Sequence, residues 1–262
     1  MNNTSTFLSR LRANRELLLT VIVVGSLALM LFRPPFGQNP QYHNFADRRA
    51  FFGIPNFLDV ASNLPFFIVG IVGLAICLRH RLGKMRNAWI VLFAGITLVS
   101  VGSAFYHLHP NNETLVWDRL PMTIGFMGLF VAVSGEYISP RLGVLLLGPA
   151  LLLGFASVVY WHWSDDLRLY VWVQLVSLLM IPVVMVLYRT GYSHQWMLLM
   201  ALGWYALAKI SEVFDVEIFG LSGGLVSGHT IKHLLSALGC LTIVWMLQRR
   251  KLIESRANTI SG

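Results

Sequence analysis

The sequence predicts an all-α, polytopic membrane bundle, and three observations carry that prediction. Hydrophobic residues make up 56% of the 262-residue chain and charged residues only 12%, about half the charged share of a soluble domain. The mean hydropathy of +0.64 is spread over the whole length, so most of the chain must face lipid or other buried helices. Runs such as 142–159 are apolar on every face, which excludes the alternating strands of an outer-membrane barrel. A soluble globule is excluded as well.

Eight apolar runs are long enough to cross a hydrocarbon core of about 30 Å, at about 17–32, 57–78, 88–107, 118–138, 142–161, 169–188, 196–213 and 229–247. The first follows Arg10, Arg12 and Arg15 in the manner of a signal peptide, but no small-residue cleavage pattern follows it. Arg33, Pro34 and Pro35 stop it instead, so it is read as a retained span. One long connection, roughly 34–56, is rich in Pro, Gly, Asn and aromatics, whereas most others run about 4 to 15 residues. No linker or low-complexity tract marks a second domain. Cys77 and Cys240 both lie inside apolar runs and make no disulfide framework.

The formal net charge of +8 raises the question of nucleic acid, which the positions of the charges answer. Arg79, Arg81, Lys84 and Arg86, like Arg249, Arg250 and Lys251, cluster just outside apolar runs, where they set topology and meet anionic headgroups. No nucleic-acid partner is expected. The side shared by the N-terminus, the even-numbered loops and the C-terminus holds thirteen Lys and Arg, including Arg141, Arg189 and Arg256, against five opposite: Arg33, Arg48, Arg49, Arg119 and Arg168. The positive-inside rule therefore places both termini in the cytoplasm.

Ionisable residues within spans are costly and mark function by default. His229 and His233 stand four apart, so on a helix both rings leave one face at a spacing that chelates a metal. Such a pair alone also suits interfacial or hydrogen-bonded core histidines. His107 ends the third span, which runs outward, while the eighth runs inward, so all three reach similar depth near the outer face. Three imidazoles plus a water suit catalytic zinc, whose open position lowers the pKa of water to about 7. Asp118 opens the fourth span, and Ser103 lies one turn below His107 on the same face. A carboxylate there can move a proton and a hydroxyl can hydrogen-bond the water or the oxyanion. Equally, Asp118 suits an N-cap and Ser103 a bond back to its own helix.

These residues resemble a known family. Ser103-x-x-x-His107, the segment Asp118-x-Leu120-Pro121-Met122 and His229-x-x-x-His233 follow the order and helical placement of the alkaline ceramidases. That family belongs to the CREST superfamily of integral-membrane zinc hydrolases, with the adiponectin and progestin receptors. Asn56-Phe57-Leu58-Asp59-Val60-Ala61-Ser62-Asn63 resembles the family's first core helix. The resemblance covers roughly 42–248. It implies a seven-helix core, Zn2+ on His107, His229 and His233, and roles for Ser103 and Asp118 in the zinc-water chemistry. The implied substrate is a membrane lipid, ceramide or another N-acyl lipid, and the implied reaction is hydrolysis of its amide to a fatty acid and a base.

Two departures from the family follow. The eukaryotic enzymes carry an acidic, Trp-containing calcium segment before the first core helix, whereas this chain reads Tyr42-His43-Asn44-Phe45-Ala46-Asp47-Arg48-Arg49. Asp47 and Asp59 are possible remnants of a cation site, Arg48 and Arg49 argue against one, and no calcium is expected, as in a bacterial-type member. The run 17–32 lies outside a seven-helix core. The organisation is therefore 1–33 as a cytoplasmic tail and extra transmembrane helix, 34–248 as the ceramidase-like domain and 249–262 as a basic cytoplasmic tail.

A second ionisable group, Lys209, Glu212 and Asp215, is read as one face of the seventh span. Lys209 with Glu212 suits a buried ion pair that fixes packing, and Glu212 and Asp215 approach the depth of the histidines, where they suit orientation of a ligand imidazole. Lys232 is read as pointing away from the histidines. Tyr42 and His43 are read as exposed loop residues, and His80, His109, His162 and His194 as span-end histidines. The leading reading is a zinc-dependent lipid amidase. The alternative is a CREST-type receptor or regulatory protein that keeps the zinc. A transporter is disfavoured by the lack of an internal repeat or paired broken helices.

Overall fold

The computed structural model describes residues 13–253. Residues 1–12 and 254–262 of the basic tails assigned above to the cytoplasm, with Arg10, Arg12 and Arg256, lie outside the described residues. Among the described residues the chain is helical, with two isolated bridges and no strand. The helices are α1 (Arg15–Phe32), α2 (Phe57–Ala61), α3 (Leu64–Arg79), α4 (Arg86–Leu108), α5 (Asn112–Tyr137), α6 (Pro140–Ser164), α7 (Arg168–Leu187), α8 (Met197–Val213), α9 (Asp215–Leu221) and α10 (Gly228–Arg249). Among the described residues seven helices are long and apolar enough to cross a membrane, with α2 and α3 counted together, or eight if α8 and α9 form one broken span. The protein is thus an all-α polytopic bundle.

The core lies among α3, α4, α5, α7, α8 and α10, around Trp89, Phe93, Val173, Leu198 and Met246. α1 stands at the edge, with Leu19 its one buried residue. It is tied to α7 by Trp172 Nε1 donating to Ser26 Oγ at 3.1 Å, and by Arg168 Nη1 donating to the Leu31 and Arg33 carbonyls. That second contact satisfies carbonyls which the end of an α-helix leaves without intrahelical partners.

The packing of α4 on α5 positions the site. Pro121 cannot donate to the Trp117 carbonyl one turn back. A Cβ on Gly102 of α4 would collide with that same oxygen, so the absence of a side chain lets the two backbones touch. Gly95 lies against Gly125 in the same manner. This close seam brings Ser103 opposite Asp118.

Three sequence expectations are corrected here. α5 begins six residues before Asp118, because Asn111 caps it and exchanges hydrogen bonds with Thr114. Asp118 is therefore an interior helix residue and not a cap, and Arg119 lies buried in the helix and not in a loop. The charges of Glu113, Asp118 and Arg119 interrupt the apolar pattern, which hid the first two turns. The seventh span breaks at Phe214, and α9 leaves α8 at 81°. Gly228 packs into the break, where a Cβ would strike the Ser211 carbonyl, so Asp215 does not continue the face of Lys209 and Glu212.

Candidate metal centre

His107 ends α4, and His229 and His233 occupy the first two turns of α10. The rings converge, with centroids 4.8 Å (His107 to His229), 5.0 Å (His107 to His233) and 4.9 Å (His229 to His233) apart. One ring nitrogen from each lies within 4.8 Å of the others, and the three residues are 1%, 3% and 4% exposed. A three-histidine cluster thus stands where the counter-running helices were expected to bring it. His107 Nδ1 is buried without a hydrogen-bond partner, and a buried polar atom left so is costly. Three imidazoles with no thiolate suit a divalent transition metal held with a coordination position to spare.

The local sequence holds each ring in place. The Ser62 hydroxyl donates to the Asp59 carbonyl and meets His233 Nδ1 at 2.8 Å. With its proton so used, the hydroxyl accepts from Nδ1–H, which leaves the Nε2 lone pair for a metal. Asn56, in the left-handed region at φ 46°, donates to the His107 carbonyl at 2.8 Å. Asp215 accepts the His229 amide at 2.7 Å and the Ala46 amide at 2.9 Å, tying α10 to the 34–56 connection. Asp59 accepts from Thr230 Oγ1 at 2.6 Å and from the Ser227 cap. Sequence reasoning missed Ser62 and Asn56 as positioning residues. Their one signal was the 56–63 stretch.

Lys232 does not point away from the histidines. Its Nζ lies 3.0 Å from His229 Nε2 and 2.8 Å from Glu212 Oε1. Positions three apart on a helix share a face, and Glu212 draws the ammonium inward. Glu212 also pairs with Lys209, so the expected pair is present as part of a Lys209–Glu212–Lys232 chain reaching His229. The Glu212 side chain is 12% exposed and that of Lys209 51%.

The 34–56 connection is a strap over the site and not a free loop. Phe45 places its ring 4.6 Å from both His107 and His229. Tyr42 donates to Glu212 Oε1 at 3.2 Å, and His43 bridges Tyr106 and Asn112. The Arg49 guanidinium holds the Asp47 carboxyl below the usual carboxylate range, mainly through its hydrogen bonds.

Ser103 and Asp118 lie near each other across the α4–α5 seam; they are 3% and 8% exposed. Both line a cavity of about 450 Å³ together with His233 and Lys232. The cavity extends from exposed Gly37 and Asn39 of the strap to Leu92 and Ile243. Leu92 lies eleven residues below Ser103 on α4, or about 16 Å at helical rise. This deep part is lined mostly by aliphatic side chains.

Residues 52–260 match a family model described as Ceramidase. No curated protein matches the chain.

Proposed function

The chain belongs to the ceramidase family, and we propose that it is a zinc-dependent membrane hydrolase cleaving the amide of ceramide or a related N-acyl lipid. The observation that carries this reading is the juxtaposition of a buried three-histidine cluster, the Ser103–Asp118 pair and a deep apolar cavity. His107, His229 and His233 would hold the metal. Bound there, zinc would supply Lewis acidity, which polarises a carbonyl and lowers the pKa of water toward neutrality. Asp118 takes a proton from the attacking water and returns it to the leaving nitrogen as the carbon–nitrogen bond breaks. The products are a fatty acid and a free base. Ser103 donates its hydroxyl hydrogen bond to the oxygen on which charge develops. Phe45 keeps bulk water from the rings, and the acyl tail extends toward Leu92 and Ile243.

The same reading places both termini in the cytoplasm and the histidine end outward, supported by the basic side chains near the opposite end, Arg79, Arg81, Lys84, Arg86 and Lys251. A cysteine at Asn111 should label with an impermeant reagent from outside; labelling only from the cytoplasmic side reverses the orientation.

The central test incubates detergent-purified protein with a panel of N-acyl lipids and measures released fatty acid, alongside metal analysis. About one zinc per chain is expected, lost in His229→Ala, with hydrolysis abolished by chelation and restored by zinc. Protein that holds zinc yet releases no fatty acid from any lipid would favour the receptor reading.

A further inference from the structure

Arg119 follows Asp118 on α5 and is turned from it by about 100°, toward α6 and α7. Its guanidinium carbon lies 4.0 Å from the Trp161 ring centre and 4.7 Å from that of Tyr170. Nη2 donates to Gln38 of the strap, Nη1 is buried without a partner, and the residue is 6% exposed. Among the described residues no carboxylate lies within ion-pair distance of it. Arg119 and Gln38 both belong to the wall of the cavity that holds Asp118, Ser103 and His233.

The formally charged side chains of that cavity's wall are Asp118 and Glu212 against Arg119, Lys209 and Lys232. Glu212 engages both lysines, and Asp118 is near enough to attract the guanidinium without pairing with it. Arg119 is therefore a buried cation with no carboxylate in contact. Leaving such a charge uncompensated is costly, and stacking on two rings with one amide contact offsets only part of that. A planar fork with a bare N–H edge fits a carboxylate, phosphate or sulfonate.

Position separates the candidate anions. The fatty acid carboxylate forms at the scissile carbon, between the histidines and Ser103–Asp118, whereas Arg119 is turned about 100° from Asp118, toward Trp161 and Tyr170. The acyl tail fills the deep aliphatic part. What remains beside Arg119 is the strap end of the cavity, where the group on the far side of the amide lies.

We propose that Arg119 receives an anionic oxygen on the base portion of the substrate, so that this chain acts best on N-acyl lipids carrying a phosphate, sulfonate or carboxylate near the amide. This rests on the hydrolase reading above and narrows its substrate class. Charged hydrogen bonds of this kind are typically worth about 10- to 100-fold in recognition.

The test has two arms. In the first, kcat/KM is measured for acyl lipids of one chain length bearing a neutral diol base, a carboxylate base or a phosphorylated base. The native protein should prefer the anionic lipids by about tenfold or more, Arg119→Gln should bring the ratio near one, and Arg119→Lys should restore part of it. In the second, binding of dodecyl phosphate and of dodecanol is followed by tryptophan fluorescence in zinc-loaded and chelated protein. Arg119→Gln should weaken the phosphate amphiphile about tenfold or more and leave dodecanol unaffected.

Equal preference in native and variant protein, or loss of both amphiphiles together, overturns the proposal and leaves Arg119 as a clamp on Gln38. Competition by inorganic phosphate as strong as by dodecyl phosphate overturns it in favour of a free-anion site. Should Arg119→Gln fail to fold, Arg119→Lys and the native substrate ratio decide. Arg119-dependent binding of dodecyl phosphate without hydrolysis of any lipid would sink the hydrolase reading and keep the anion site.

Discussion

Among the described residues the Arg119 and Arg250 side chains are both buried, one toward each end of the bundle, and their surroundings are opposite. Near the chain's described C-terminus, Arg250 meets Glu136 at 2.7 and 2.8 Å, with both side chains 3% exposed. Trp89 Nε1 donates to the same carboxylate at 2.7 Å, and the Tyr192 ring lies 4.3 Å from the guanidinium. At the histidine end Arg119 has rings and an amide but no carboxylate. Bare nitrogens do not separate the two, because Arg250 also keeps Nη2 unpartnered. Charge and location do. Arg250 is neutralised where α5 and α10 must be joined, whereas Arg119 is left cationic on the wall of the cavity. One end is built to stay shut and the other to receive something.

The sharpest way to break that contrast is a pair of substitutions read by two measurements. Asp118→Asn should lower kcat by about 10²- to 10⁴-fold, the span of a lost acid–base group, while zinc content and the unfolding midpoint hold. Glu136→Ala strands Arg250 in the interior and should cost about 3–5 kcal/mol of stability, seen as a lowered unfolding midpoint. Zinc per folded chain and kcat should be kept. A Glu136→Ala protein of undiminished stability and reduced kcat would show that the ends are energetically linked and that the contrast is wrong.

The two ends also differ in how far the sequence discloses them. The all-α membrane class follows from apolar runs on every face, and the four-residue step from His229 to His233 survives folding because it is local to one helix. His107 needed only the direction of two spans. The turn of Lys232 inward depends on Glu212, twenty residues away and on another helix, so no local period carries it. The apolar run ends at 213, but the break at Phe214 was hidden because the three- and six-residue steps from Lys209 to Glu212 and Asp215 suit one helical face, and its cause lies with Gly228 and Asp215 across a loop. Tyr42 and His43 looked like free loop side chains because their partners, Glu212, Tyr106 and Asn112, belong to three distant elements. The Glu136–Arg250 pair is likewise invisible, its members being 114 positions apart. Long-range polar closure is what periodicity cannot show.

A gentler test compares two buried serines, one at each end. Ser62 accepts Nδ1–H of His233 and so presents Nε2 toward the other imidazoles, whereas Ser134 of α5, 1% exposed, has a hydroxyl with no partner. Removing a partner behind a metal-ligating histidine typically costs about 10- to 100-fold in metal affinity. Ser62→Ala should fall at the lower end of that range, because the Asp59 carbonyl remains beside the ring as a second acceptor. Ser134→Ala removes an unsatisfied hydroxyl, so it should leave zinc affinity unchanged and stability equal or slightly higher. Competition for zinc against a chelating dye reads both variants on one scale. If Ser134→Ala weakens zinc as much as Ser62→Ala, binding follows the stability of the bundle as a whole and not the orientation of one ring. If Ser62→Ala alone weakens it and activity recovers at saturating zinc, the serine acts by holding His233 in the metal-binding tautomer.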